Sequence, residues 1–168
     1  MMIRGVRFAT LWLIFLAISA GPVLAQMQEN SLQELVGVWE TNYVDEDGPG
    51  RQVWTFSWNH NQTFLTLETL TYVNDEVAFV GKGFKYYDTE NQKYRIYLMM
   101  DNGALHESTG IRQEDGTYRY MSETHGNAAF PDVEIELTVA SGAMKVVYLW
   151  TAEDGTQERD DNIFARIE

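Results

Sequence analysis

The chain has 168 residues, of which 25 are acidic and 12 basic, giving a formal net charge of −13, and it contains no cysteine. That composition excludes disulfides, thiol catalysis and Cys-ligated zinc. The acidic field repels nucleic acid and anionic lipid headgroups, so neither is expected as a partner.

Residues 1–25 read as a secretory signal peptide. Arg4 and Arg7 open it, an apolar run follows over 8–18, and Val23-Leu24-Ala25 supplies the cleavage site. The run stops at Ser19 and is broken by Gly21-Pro22. That is short of the roughly 20 apolar residues a membrane helix needs. The expectation is a secreted or periplasmic protein with no stable membrane insertion after cleavage. Removing 25 of the 168 residues leaves 143, the segment 26–168, enough for one domain with its own core. Losing Arg4 and Arg7 leaves 10 basic against 25 acidic residues, a net charge near −15. The acids are scattered among turns, as solubility alone would require.

Residues 29–36 have helical spacing, with Asn30 or Ser31 as cap and Leu32, Leu35 and Val36 on one face. The segment is long enough only for a plug or a lead-in turn. From there the pattern alternates apolar and polar residues, the period of a strand. The segments 38–44, 52–59, 63–73, 76–87 and 93–100 come first. The segments 104–112, 117–124, 133–139, 144–151 and 157–167 follow. Between them stand turn sequences such as Asn74-Asp75, Asp101-Asn102-Gly103, Glu114-Asp115-Gly116, Ser141-Gly142 and Glu153-Asp154-Gly155. The 45–50 segment, with Gly48-Pro49-Gly50, reads as a longer turn, and 126–131 as a loose loop. Gly81 and Gly83, one strand period apart, mark a bend or a close backbone approach. The fold class is all-β. The expected architecture is a single antiparallel barrel of about eight to ten strands behind a short N-terminal helix.

The ends of this pattern carry a resemblance. Gly37-Val38-Trp39 on the first strand, with Arg166 on the last, resembles the lipocalin–calycin group of ligand-binding barrels. That resemblance implies that Trp39 closes one end and Arg166 packs across it. The middle is similar to a bacterial calycin-like family of unknown function. It carries Gly83-Phe84-Lys85-Tyr86-Tyr87-Asp88, Tyr94, Asp101-Asn102-Gly103, Glu153-Asp154-Gly155 and Phe164-Ala165-Arg166. The segment Tyr97-Leu98-Met99-Met100 departs from the family, which has a Trp nearer the Asp. The resemblance implies a fold and no reaction.

The chemistry-bearing residues are sparse. His60, His106 and His125 stand at no metal-ligand spacing, so no metal and no cofactor are assigned. His106, alone in mid-strand, would be the candidate for an axial haem ligand. Asp45-x-Asp47-Gly48 and Asp160-Asp161-Asn162 are fragments of calcium loops without the full ligand pattern. No catalytic motif is present, and no catalytic residue is assigned. Glu107 shares strand parity with Leu105, Thr109 and Ile111, which points it either into the barrel or into a wet mouth.

Aromatic residues cluster by parity on single faces. These are Trp54, Phe56 and Trp58 on the second strand, Tyr118 and Tyr120 on the seventh, and Tyr148 and Trp150 on the ninth. The same residues serve a solid core or the walls of a cavity. In the cavity reading they bind a small hydrophobic or amphipathic molecule, with Glu107 and the tyrosine hydroxyls at its polar end. One alternative is a small enzyme with Glu107 and Tyr120 as its polar pair. Another is an envelope interaction protein with a solid barrel. Oligomeric state is not legible.

Overall fold

The computed structural model describes residues 31–45, 48–126 and 131–168. The segment 1–25 read as a signal peptide and the start of the predicted helix lie outside the described residues, as do 46–47 and 127–130.

All ten alternating segments are strands. They are β1 (Gly37–Asp45), β2 (Gly48–Trp58), β3 (Leu65–Val73), β4 (Glu76–Asp88), β5 (Lys93–Met100), β6 (Leu105–Arg112), β7 (Tyr118–His125), β8 (Val133–Ala140), β9 (Ala143–Thr151) and β10 (Gln157–Arg166). Each pairs antiparallel with the next, and β10 returns to β1, so the sheet closes into a ten-strand up-and-down barrel. The closing seam is short: β1 and β10 pair at Trp39↔Arg166 and Glu40↔Ala165, next to the plugged end, and the rest of their facing edges has no ladder partner among the described residues.

The alternation does what the period of two requires. In β3, Leu65, Leu67 and Thr69 are buried while Thr66 and Glu68 are exposed. In β7, Tyr118, Tyr120 and Ser122 are buried while Arg119, Met121 and Glu123 are exposed. Asn74 and Asp75 both adopt positive φ, 51° and 66°, the turn that matches the strand twist in a two-residue hairpin. Gly83 marks the sharpest approach. A Cβ there would collide with the Tyr97 carbonyl oxygen across the ladder, so β4 and β5 meet this closely only because the residue is glycine.

One boundary differs from the sequence expectation. β2 starts at Gly48 rather than at residue 52, because Gly48-Pro49-Gly50 pairs with β1 instead of turning. Pro49 lacks a ladder donor, but its carbonyl accepts the Asn74 N–H at 2.9 Å.

Residues 31–33 form one helical turn, and 34–35 a following turn, that plug one end of the barrel. Leu32 and Leu35 bury against Trp39, Tyr94, Tyr118, Met144 and Phe164. The plug's polar groups are tied to the wall. Trp39 Nε1 donates to the Leu35 carbonyl at 2.7 Å. Ser31 Oγ and Tyr94 Oη share a hydrogen bond of 2.6 Å. Trp58 Nε1 donates to Gln33 Oε1 at 2.7 Å. Tyr118 Oη reaches both the Ser31 carbonyl and Glu34 Oε1 at 2.8 Å, and Arg112 pairs with the same carboxylate at 3.2 Å.

The β1–β10 seam closes at this end, where Trp39 faces Arg166 in register. The Arg166 guanidinium carbon lies 4.4 Å from the Trp39 ring centroid, and its Nη2 donates to the Glu34 carbonyl. Arg166 is an exposed residue, so the stack contributes about 0.5–1 kcal/mol and the hydrogen bond a similar amount. Arg166→Ala is expected to cost about 1 kcal/mol and to lower the melting temperature by roughly 3–5 °C. An unchanged thermal transition would show that Arg166 is merely a solvated terminal charge.

Candidate functional site

Away from the plug the inward side chains do not fill the barrel. They surround a cavity of about 220 Å3. Its outer rim, at the strand ends opposite the plug, carries Gln52, Thr71, Met100, His106, Ser122 and Tyr148. Trp54, Thr69, Leu98, Ser108 and Ile135 form the middle. Phe56, Leu67, Lys85, Ile96, Tyr120 and Leu137 form the floor, next to the plugged end. The lining is mostly apolar, with a few polar groups, the usual make-up of a small-molecule site.

The polar groups divide into satisfied and unsatisfied ones. Ser108 Oγ donates to Ser122 Oγ at 3.0 Å. His106 Nδ1 and Thr124 Oγ1 lie 3.0 Å apart, and burial lowers the histidine pKa. Tyr148, half-buried, has its phenol pKa raised, chiefly by desolvation and secondarily by Asp160. At the floor the situation is different. Lys85 is 0 % exposed and Tyr120 is 1 % exposed. Neither Lys85 Nζ nor Tyr120 Oη has a hydrogen-bond partner.

Lys85 reaches this position because β4 parity turns it inward with Gly81 and Gly83. Its Nζ sits 4.5 Å from the Tyr118 ring centroid and 4.8 Å from that of Tyr120. The two rings lie nearly parallel, 9° apart. Their faces offer the ammonium a partial substitute for water. Burial nonetheless pulls the Lys85 pKa down from 10.5 to about 7, against the opposing attraction of Glu34. Burial likewise pushes the Tyr120 phenol well above its ordinary value, and the neighbouring Tyr118 adds to this.

The residues singled out in the sequence separate into three groups. Trp54, Phe56, Tyr120 and Tyr148 line the cavity. Tyr118 and Trp58 belong to the plugged end, bonded to Ser31, Glu34 and Gln33. Trp150 is half-buried one period beyond Tyr148 and is not part of the cavity wall.

Glu107 is a correction. It lies on the outer surface of β6, since its neighbours His106 and Ser108 are the ones that line the cavity. Its carboxylate accepts from Tyr97 Oη at 3.0 Å and pairs with Arg95 at 3.6 Å. The apolar residues that set its expected parity are themselves outside, Ile111 being 47 % exposed. Glu107 therefore cannot act with Tyr120 inside the barrel, and it does not fix a ligand's polar end there. The buried charged side chain on the inner face is Lys85, which the sequence pattern hid. Among the described residues, no three potential metal-ligating side chains come together.

No protein-family model matches this chain, and no curated protein matches it in sequence.

Proposed function

We propose that this protein is an extracytoplasmic binding protein that holds a small amphipathic molecule inside the barrel. The single observation that carries the reading is the cavity of about 220 Å3 between mostly apolar walls, with Lys85 and Tyr120 at its floor. An apolar cavity of about 150 Å3 already takes up benzene. By that scale the space here suits a guest of about ten non-hydrogen atoms. Two further features support the reading. The Gly37-Val38-Trp39 and Arg166 pattern is similar to that of the calycin ligand-binding barrels. The apolar N-terminal segment over 8–18 behind Arg4 and Arg7 suits export to the periplasm or beyond. A hollow barrel also weighs against a solid one working only through its surface.

Native mass spectrometry of protein purified from its own compartment tests the proposal. The expected result is an added mass of a small molecule. Trp54→Ala combined with Tyr148→Ala should remove that mass while the β-sheet circular dichroism spectrum persists. Protein that is always empty, and whose Trp54 emission ignores small amphiphiles, would rule the binding role out.

A further inference from the structure

The cavity floor holds two buried polar side chains with nothing to bond to. Burying a hydrogen-bonding group without a partner carries a large desolvation cost, more so for a charged one. Native proteins keep such groups rarely, and each asks for an explanation. Here both belong to one cavity, side by side. Lys85 Nζ lies over the Tyr120 ring whose hydroxyl is the second unpartnered group.

We propose that the guest is a small monocarboxylate with an apolar tail, inserted head first, its carboxylate seated on Lys85 Nζ and Tyr120 Oη. This rests on the binding role argued above and names the chemical class of the ligand. The donor inventory decides the head group. An ammonium offers three donors and no acceptor, and a phenol with no acceptor of its own still has a proton to give. A carboxylate accepts from both and cancels the buried positive charge. An alcohol satisfies one donor and leaves the charge. An amine adds a like charge to a site that already carries one.

Among the surrounding groups Glu34 is the charge that opposes a second carboxylate, and it is already countered by Arg112. Facing Lys85 from the plug is Glu34, whose carboxylate is already held by Arg112 at 3.2 Å and by Tyr118 at 2.8 Å. Tyr118 and Tyr120 face it from β7, and Tyr94 on β5 packs against Tyr118 with ring centroids 5.1 Å apart. None of these is a free cation that would draw the anion elsewhere. Above the floor, Trp54, Leu98 and Ile135 give an aliphatic tail its wall. His106 sits at the far rim, bonded toward Thr124.

Isothermal titration calorimetry with octanoate, 1-octanol and octylamine separates the possibilities. These probes share a tail of suitable size and differ only at the head. The wild-type protein should bind octanoate at least about tenfold more tightly than 1-octanol, and octylamine least, as expected for hydrogen bonds to a charged group. Lys85→Met should lose about tenfold or more in octanoate affinity and keep its 1-octanol affinity. Tyr120→Phe should lose less, in the same direction.

Near pH 8, octanoate binding should draw a proton from the buffer, because the bound anion favours the charged lysine. Titrations in buffers of different ionisation enthalpy read this uptake, and Lys85→Met should abolish it. Octanoate no tighter than 1-octanol, or an unchanged octanoate affinity in Lys85→Met, would overturn the head-group assignment and leave the cavity's binding role standing. Failure of all three probes to bind would overturn both.

Discussion

Replacing Lys85 with methionine is expected to make the empty barrel more stable, not less. Lysine is protonated in the unfolded chain up to about pH 10.5, but in the folded protein only up to about pH 7. Between those values the unfolded state binds a proton that the folded state has released. Wild-type stability therefore rises with pH across that window. Below pH 7 both states are protonated, and the full cost of burying the charge is present. A displacement of this size corresponds to about 5 kcal/mol. Methionine has a similar length, carries no charge and adapts its shape to irregular space. Lys85→Met should thus raise the melting temperature by roughly 10 °C or more at pH 6. The gain should shrink as the pH approaches 10. Thermal unfolding of both proteins across this range checks the point. A variant less stable than wild type at pH 6 would mean that the ammonium stabilises the fold. A stabilising substitution that also removes anion binding is the pattern expected of a residue kept for function.

Trp39→Ala is expected to have the largest destabilising effect of any single truncation at the plugged end. Trp39 is 0 % exposed and donates from its indole to the Leu35 carbonyl at 2.7 Å. It pairs in register with Trp54 on one side and Arg166 on the other, so it joins β2, the seam and the plug. Truncating a buried tryptophan costs about 3–5 kcal/mol through lost burial and the cavity left behind. The orphaned carbonyl and the exposed Arg166 face add to that. Urea unfolding should show a lower midpoint with an unchanged slope, the mark of a stability change within a two-state transition. Trp39→Phe keeps the ring and loses the N–H, and should cost about 1–2 kcal/mol. A loss below about 1 kcal/mol for the alanine variant would contradict the closure role.

The strands were legible because two independent signals coincide in this chain. Period-two alternation marks each segment, and turn pairs such as Asn74-Asp75 and Ser141-Gly142 separate them. Where one signal misleads, so does the reading. Pro49 looks like a turn residue and lies in a strand. In β6 the inward residues are His106, Ser108 and Gly110, while Leu105, Thr109 and Ile111 face out. Apolar parity there points the wrong way and took Glu107 with it.

Parity also fixes a face but not a depth. Trp58 and Tyr118 do face inward, yet they stand beside the plug and not beside the cavity. Only the closed ring shows how far along the barrel each sits. Lys85 was hidden for a related reason. A lysine within a strand is ordinarily read as solvated. The clue was its position two residues after Gly83 and two before Tyr87, a face that the close approach of β4 and β5 turns inward.

The seam has a consequence for how the protein is made. Every neighbouring pair of strands but one is joined by a short connection and can form locally. The exception links β1, starting at Gly37, to β10, ending at Arg166. That contact spans almost the entire described chain and has the highest loop-closure entropy in the sheet. It also completes the lodging of Trp39 and the plug. Synthesis runs from the N-terminus, so nine strands can be present while the ring is still open. The final locking step of the ring therefore waits for β10, and no earlier strand can substitute for it.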